Sequence, residues 1–166
     1  HIRQLQLSWE GGTVSNQKGP RMTDGQRPHL LLLPGLLNDS RLWQRQIEDL
    51  ADFAGISVGD LTVADTITAL AAAVLAAVPA PRFALAGLSM GGYGTWDTAL
   101  DYPDFFAAIV PVCGGAGVRW VMADRIKHLP VWIFHGDKDM AVPVEESRKM
   151  HDFLKKAGGD VRLTIY

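Results

Sequence analysis

The chain reads as an α/β protein, a mostly parallel sheet with helices on both faces, in a single domain over residues 1–166. Three observations predict this. Short continuous apolar runs such as "HLLLLPG" and "RFALAG" have the pattern of strands buried on both faces. Longer stretches with apolar residues three and four apart lie between them, as helices require. A length of 166 residues with 48% hydrophobic content can build one sizeable core.

The elements follow in order. "IRQLQLSW" alternates apolar and polar residues, which suits a half-buried antiparallel or edge strand. Residues 11 to 28 hold four glycines and two prolines and read as turn and loop. "HLLLLPG" is a buried strand ended by a breaker. Ser40 is the expected cap of the next helix, where Trp43, Ile47, Leu50 and Ala54 follow helical spacing. "GISVGDL" is a short strand. Asp65 is the expected cap of a helix with the stripe Ile67, Leu70, Ala71, Val74, Leu75 and Val78. "RFALAG" is a strand, and a helix runs from Met90 to about Leu100. "FAAIVPV" and "PVWIFHG" are two further strands. "VPVEESRKMHDFLKKAGG" is a helix with a glycine stop that buries Met150, Phe153, Leu154 and Ala157. "DVRLTIY" is a last strand, on which the chain ends.

Composition removes several classes of function. The net charge is −2 and no basic stripe is present, which argues against nucleic acid as a partner. No glycine-rich phosphate loop follows the first strand, so neither a nucleotide nor another cofactor is expected. The most apolar helix, "ITALAAAVLAAVPA", is too short to cross a bilayer, and no signal peptide opens the chain. The lone Cys113 rules out an internal disulfide and fits a reducing compartment, the cytoplasm.

Chemistry concentrates in "ALAGLSMGGYGTW". Here Gly87, Ser89 and Gly91 form G-x-S-x-G between a buried strand and a helix. In that context the motif is a nucleophile elbow, whose turn exposes the Ser89 hydroxyl above the carboxyl ends of the strands. Outside it, the same residues would be a serine cap with glycines for close packing. Acyl transfer also needs donors for an oxyanion. The Met90 amide is one. In "LPGLLND", Pro34 and Gly35 make the turn and leave the Leu36 amide to point into the site. "HGDKDMAVP" follows a strand and supplies Asp137 and Asp139 at the same sheet edge. Asp139 is the better acid, being later in the loop, and Asp137 the better turn cap. His135, Asp137 and Asp139 have no second His or Cys at ligand spacing, so no metal site is expected. Trp96, Trp120 and Trp132 read as core or rim packing, and Cys113 as a small buried residue.

On these motifs the chain resembles the α/β-hydrolase superfamily. "LLLLPGLLNDSRLW" and "RFALAGLSMGGY" are similar to small bacterial α/β-fold hydrolases. "SMGGYGTWDTALDYPDFFAAIVPVCGG", "PVWIFHGDKDMAVPVEESRKM" and "GGDVRLTIY" resemble the cap-less carboxylesterases of the dienelactone-hydrolase and polyhydroxybutyrate-depolymerase-like group. The change of flavour near the elbow is what a chimeric or recombined gene would leave. The resemblance implies Ser89 as nucleophile, Asp139 as acid and Leu36 as the oxyanion residue after the loop glycine. It also implies a triad histidine in a loop after the last strand, and the sequence stops at Tyr166 on that strand. The triad histidine is therefore expected to be missing from this chain.

The five histidines differ by position. His1, His29 and His128 precede strands, at the opposite sheet edge. His151 shares a polar helix face with Ser147 and Lys155 and is expected to be solvated. His135 alone lies on the elbow's edge, although the resemblance implies a structural role for it; it is the one candidate base. Two functions follow from different classes. One is a serine hydrolase for small or short-acyl carboxylic esters, since residues 114 to 130 are too few for a cap domain. The other is an inactive scaffold that binds a ligand or protein partner. With no helix expected after the last strand, Val131, Ile133, Val161 and Leu163 are expected to be exposed and covered by a second copy in a homo-oligomer.

Overall fold

The computed structural model describes residues 27–166; the strand expected at "IRQLQLSW", the loop that follows it and His1 lie outside the described residues. Among the described residues six strands form one sheet: β1 (His29–Leu33), β2 (Gly55–Val58), β3 (Phe83–Leu88), β4 (Phe106–Val112), β5 (Val131–His135) and β6 (Val161–Ile165). Their spatial order is β2-β1-β3-β4-β5-β6, with every neighbouring pair parallel. Helices α1 (Gln44–Leu50), α2 (Ile67–Ala77), α3 (Met90–Asp101) and α4 (Val144–Lys156) connect them, with 3-10 segments at Ser40–Trp43, Pro103–Phe105 and Gly117–Ile126. From β1 the chain runs outward to β2, then returns across β1 to β3. That reversal opens a crevice at the carboxyl ends of β1 and β3, where doubly wound sheets place their ligands.

Two caps sit one residue from their expected places. Asp39, not Ser40, caps the 3-10 turn, its backbone extended and its carboxylate accepting from the Arg41 amide. Thr66, not Asp65, caps α2, its hydroxyl accepting from the Ala69 amide at 3.2 Å. In each pair both side chains are competent caps, and the residue with extended backbone takes the role.

The larger core lies on one face. Leu31, Leu85, Ile109 and Ile133 of the sheet pack there against Val74 of α2, Trp96 and Leu100 of α3, and Met150 and Leu154 of α4. This corrects the expected exposure of the last strands. Val131, Ile133 and Val161 are buried, because α4 and the segment Gly117–Ile126 cover them, and Leu163 packs partly buried on the same cluster. Arg119 ties that segment to α3 through an ion pair to Asp97 at 2.8 Å and a second to Asp101. Phe153, expected inside, lies at the rim with its ring 4.4 Å from that of Trp120. On the other face Trp43 packs on Leu32, Ala86 and Val110, flanked by partly buried Ile47. Farther along that face Trp132 and Phe134 stay half-buried, stacked 5.0 Å apart.

Candidate active site

Ser89 joins β3 to α3 with φ 56° and ψ −114°, a combination L-residues avoid because Cβ crowds the main chain. Two glycines make the turn sterically feasible. A Cβ on Gly87 would lie 2.0 Å from the Gly91 carbonyl oxygen, and one on Gly91 would lie 2.3 Å from that of Leu33. The Ser89 amide donates to the Val112 carbonyl at 2.9 Å, and its own carbonyl accepts from the Tyr93 amide at 3.0 Å. The strained serine is thus held from β4 and from the first turn of its helix.

The loop after β1 lies directly against it. A Cβ placed on Gly35 would stand 3.6 Å from the Ser89 Cβ. The Asn38 amide donates to the Gly35 carbonyl, and its side-chain nitrogen donates to the Leu36 carbonyl at 2.9 Å. The Gly35 carbonyl shares its peptide plane with the Leu36 amide, so the Asn38 amide bond orients that amide. Met90 is the first residue of α3, so its amide has no partner within the helix. Among the described residues no main-chain acceptor meets either amide. The Met90 amide thus stands at the positive end of the α3 dipole.

Asp139 follows β5. Its Oδ1 accepts from the amides of Ala141 and Val142, each at 2.9 Å. Those main-chain donors, first Val142 and then Ala141, hold its carboxyl below the ordinary carboxylate range. Asp139 thus performs the turn-forming role expected of Asp137, whose side chain is exposed. Its Oδ2 lies 3.7 Å from His135 Nε2, beyond hydrogen-bond range.

His135 is fully buried at the end of β5. Its Nδ1 lies 2.6 Å from Ser147 Oγ and its Nε2 lies 2.9 Å from the Val142 carbonyl. Both ring nitrogens are committed inside the protein, so His135 has none left to take a proton from Ser89. Ser147, expected on a solvated helix face, is fully buried for the same reason. His151 bonds Asp152 and His29 bonds Ser57. Among the described residues no histidine is hydrogen-bonded to Ser89 or Asp139. The sequence reads Cys113 as a small buried residue at a strand end that could border the pocket, and gives Tyr166 no role in the site. Cys113 closes β4 with φ 47°, half-buried, and its sulfur lies 3.5 Å from the Tyr166 hydroxyl. Partial burial, then the neighbouring thiol, push the Tyr166 hydroxyl up to about 12. Cys113 also gives His135 and Asp139 a third donor, the three ligand atoms lying within 4.8 Å of one another. The sequence, which showed no second ligand at usual spacing, concealed this grouping. Its chemistry does not suit a metal, since the imidazole offers no free lone pair.

Comparison with known proteins places the chain in a family. A family model described as phospholipase/carboxylesterase matches residues 41–166. An uncharacterized secreted protein of Arthroderma benhamiae is 30% identical over 45% of this chain and 11% of its own. Among solved structures, a thermostable esterase is similar at 28% identity and TM-score 0.67, covering 89% of this chain and 48% of that one. The enol-lactonase of Burkholderia xenovorans LB400 shares the fold at TM-score 0.71 and 15% identity, over 86% and 84% of the two chains. Esterase PE8 does so at 0.61 and 22%, over 84% and 82%. The chain thus spans about a tenth of the curated relative and about half of the thermostable esterase.

Proposed function

Since this chain belongs to the phospholipase/carboxylesterase family of α/β-hydrolases, we propose that it carries the acylation centre of a serine hydrolase for small or short-acyl carboxylic esters. The strained Ser89 against the Gly35 loop carries the reading. Its hydroxyl would attack the ester carbonyl, its proton passing to a base and then to the departing alcohol, leaving an acyl-serine that water hydrolyses. The Leu36 and Met90 amides would hold the oxyanion through both steps. Asp139 Oδ2, the oxygen without a main-chain donor, is the one left to orient a base. The short connection from β4 to β5 supports an open pocket.

The committed nitrogens of His135 favour a second reading, a scaffold that binds an ester or a partner without turnover. Labelling by a fluorophosphonate probe and hydrolysis of p-nitrophenyl acetate, each compared with Ser89→Ala and repeated with added imidazole, separate the two. The hydrolase reading expects slow turnover that depends on Ser89 and rises with imidazole beyond its effect on the variant. A chain lacking one triad member keeps roughly 10³–10⁴-fold catalysis over water. Wild type and Ser89→Ala behaving alike under all conditions leaves the scaffold reading. We also propose association with a second copy, although Val131, Ile133 and Val161, the strand residues expected to carry it, are covered within the chain. A monomer by light scattering at micromolar concentration refutes that.

A further inference from the structure

We propose that Ser147 is a positioning residue: it satisfies the buried Nδ1 of His135 and so holds that ring, and through it the loop that presents Asp139. The proposal rests on the hydrolase reading for its purpose, and on three hydrogen bonds for its content. The Val142 carbonyl only accepts, so the His135 nitrogen 2.9 Å from it, Nε2, must carry hydrogen. In a neutral ring Nδ1 is then a lone pair, fully buried, and needs a donor. The Ser147 hydroxyl, 2.6 Å away, supplies it. The two main-chain groups of Val142 are thereby held from opposite sides. Its carbonyl accepts from His135, and its amide donates to Asp139 Oδ1. Asp139 consequently has Oδ1 fixed, while Oδ2 lies 3.7 Å from His135 Nε2.

The arrangement accounts for a residue that α4 otherwise does not need. Serine is an indifferent helix former, and a hydroxyl buried in mid-helix calls for a partner. Without it, the buried Nδ1 loses its hydrogen bond and the ring its anchor on α4. A ring free to turn away from the Val142 carbonyl would release the Asp139 loop. The wiring spans three elements: the end of β5, the acid loop and the second turn of α4. Ser147 touches no reacting atom and acts only through His135.

Nitrogen-15 NMR of the histidine rings at pH 8 tests this in the unmodified protein. The expected spectrum has His135 as a neutral ring protonated at Nε2 alone. Protonation at Nδ1 alone, or at both nitrogens, overturns the proposal without recourse to any variant. Carboxyl carbon-13 titration of Asp139 supplies the second measurement. Ser147→Ala should shift the His135 Nδ1 signal, which loses its hydrogen bond, and move the Asp139 midpoint up toward the ordinary range, and Ser147→Thr, which keeps the hydroxyl, should restore both. A folded Ser147→Ala protein with the wild-type Nδ1 signal and Asp139 midpoint also overturns it. Neither signal requires ester turnover, so a failed labelling experiment refutes the hydrolase reading and leaves this test standing.

Discussion

Replacing Ser89 by glycine should stabilise the protein, although it removes the residue proposed to react. A non-glycine residue held at φ 56° and ψ −114° stores roughly 1–3 kcal/mol of backbone strain. Glycine relieves it, because without Cβ that region is open to it. Against this gain stands the greater freedom of glycine in the unfolded chain, about 0.5–1 kcal/mol. The balance is a gain of about 1 kcal/mol, which raises Tm by roughly 2–4 °C for a chain of this size. Ser89→Ala is the control. It removes the same hydroxyl but keeps Cβ and the strain, so it should lie close to wild type. The difference between the two variants isolates the backbone contribution, and urea unfolding at pH 7 measures it. Ser89→Gly less stable than Ser89→Ala by the ordinary glycine penalty would refute the strained elbow.

Gly91→Ala should destabilise by at least about 1–3 kcal/mol, the usual cost of overpacking, because its Cβ would meet the Leu33 and Pro34 carbonyl oxygens at 2.3 and 2.6 Å; urea unfolding reads it. Asp139 has its folded pKa depressed, so its contribution is present above its unfolded value, about 3.9, and is lost as pH falls through the folded one. The stability gap between wild type and Asp139→Asn should stay level from pH 7 to about 5 and close below pH 4; a gap that widens on acidification contradicts the main-chain bonds to the carboxylate. Tyr166 is raised to about 12, so its contribution is complete below about 10 and fades as pH climbs toward the folded value. Ultraviolet titration should show a late tyrosine that titrates earlier in Cys113→Ala, and an unchanged midpoint would remove the thiol as a cause.

Much of this molecule was legible before any coordinates, for a local reason. The run "HLLLLPG" is apolar throughout because β1 is covered on both faces, and the stripe of α2 repeats because one side faces Leu31 and Phe83. The elbow was legible too. Gly87 and Gly91 stand two residues either side of Ser89, and the Cβ clashes each avoids arise from chain that must pass within a few ångströms. Such features are written in the order of residues, since strand, turn and helix are set by neighbours.

What faces what across the sheet was decided otherwise. The burial of Val131, Ile133 and Val161 depends on which side α4 packs, a matter of crossover geometry rather than of any pattern in "PVWIFHG". His135 looked like a base because it stands at the right edge. Ser147 looked solvated because its helix neighbours His151 and Lys155 are polar. Their 2.6 Å contact joins residues 12 apart through two elements, and it decides that the imidazole positions a loop instead of serving Ser89. Cys113 and Tyr166, 53 residues apart, meet for a comparable reason. β4, β5 and β6 lie side by side, and parallel strands bring their carboxyl ends, and whatever residues happen to follow them, to one rim. Sequence by itself determined the strands, the helices and the strained serine, because those answer to nearest neighbours and to steric space along the chain. The pairing of side chains at that rim belongs to the tertiary structure alone, because only the folded sheet brings those distant residues within bonding distance.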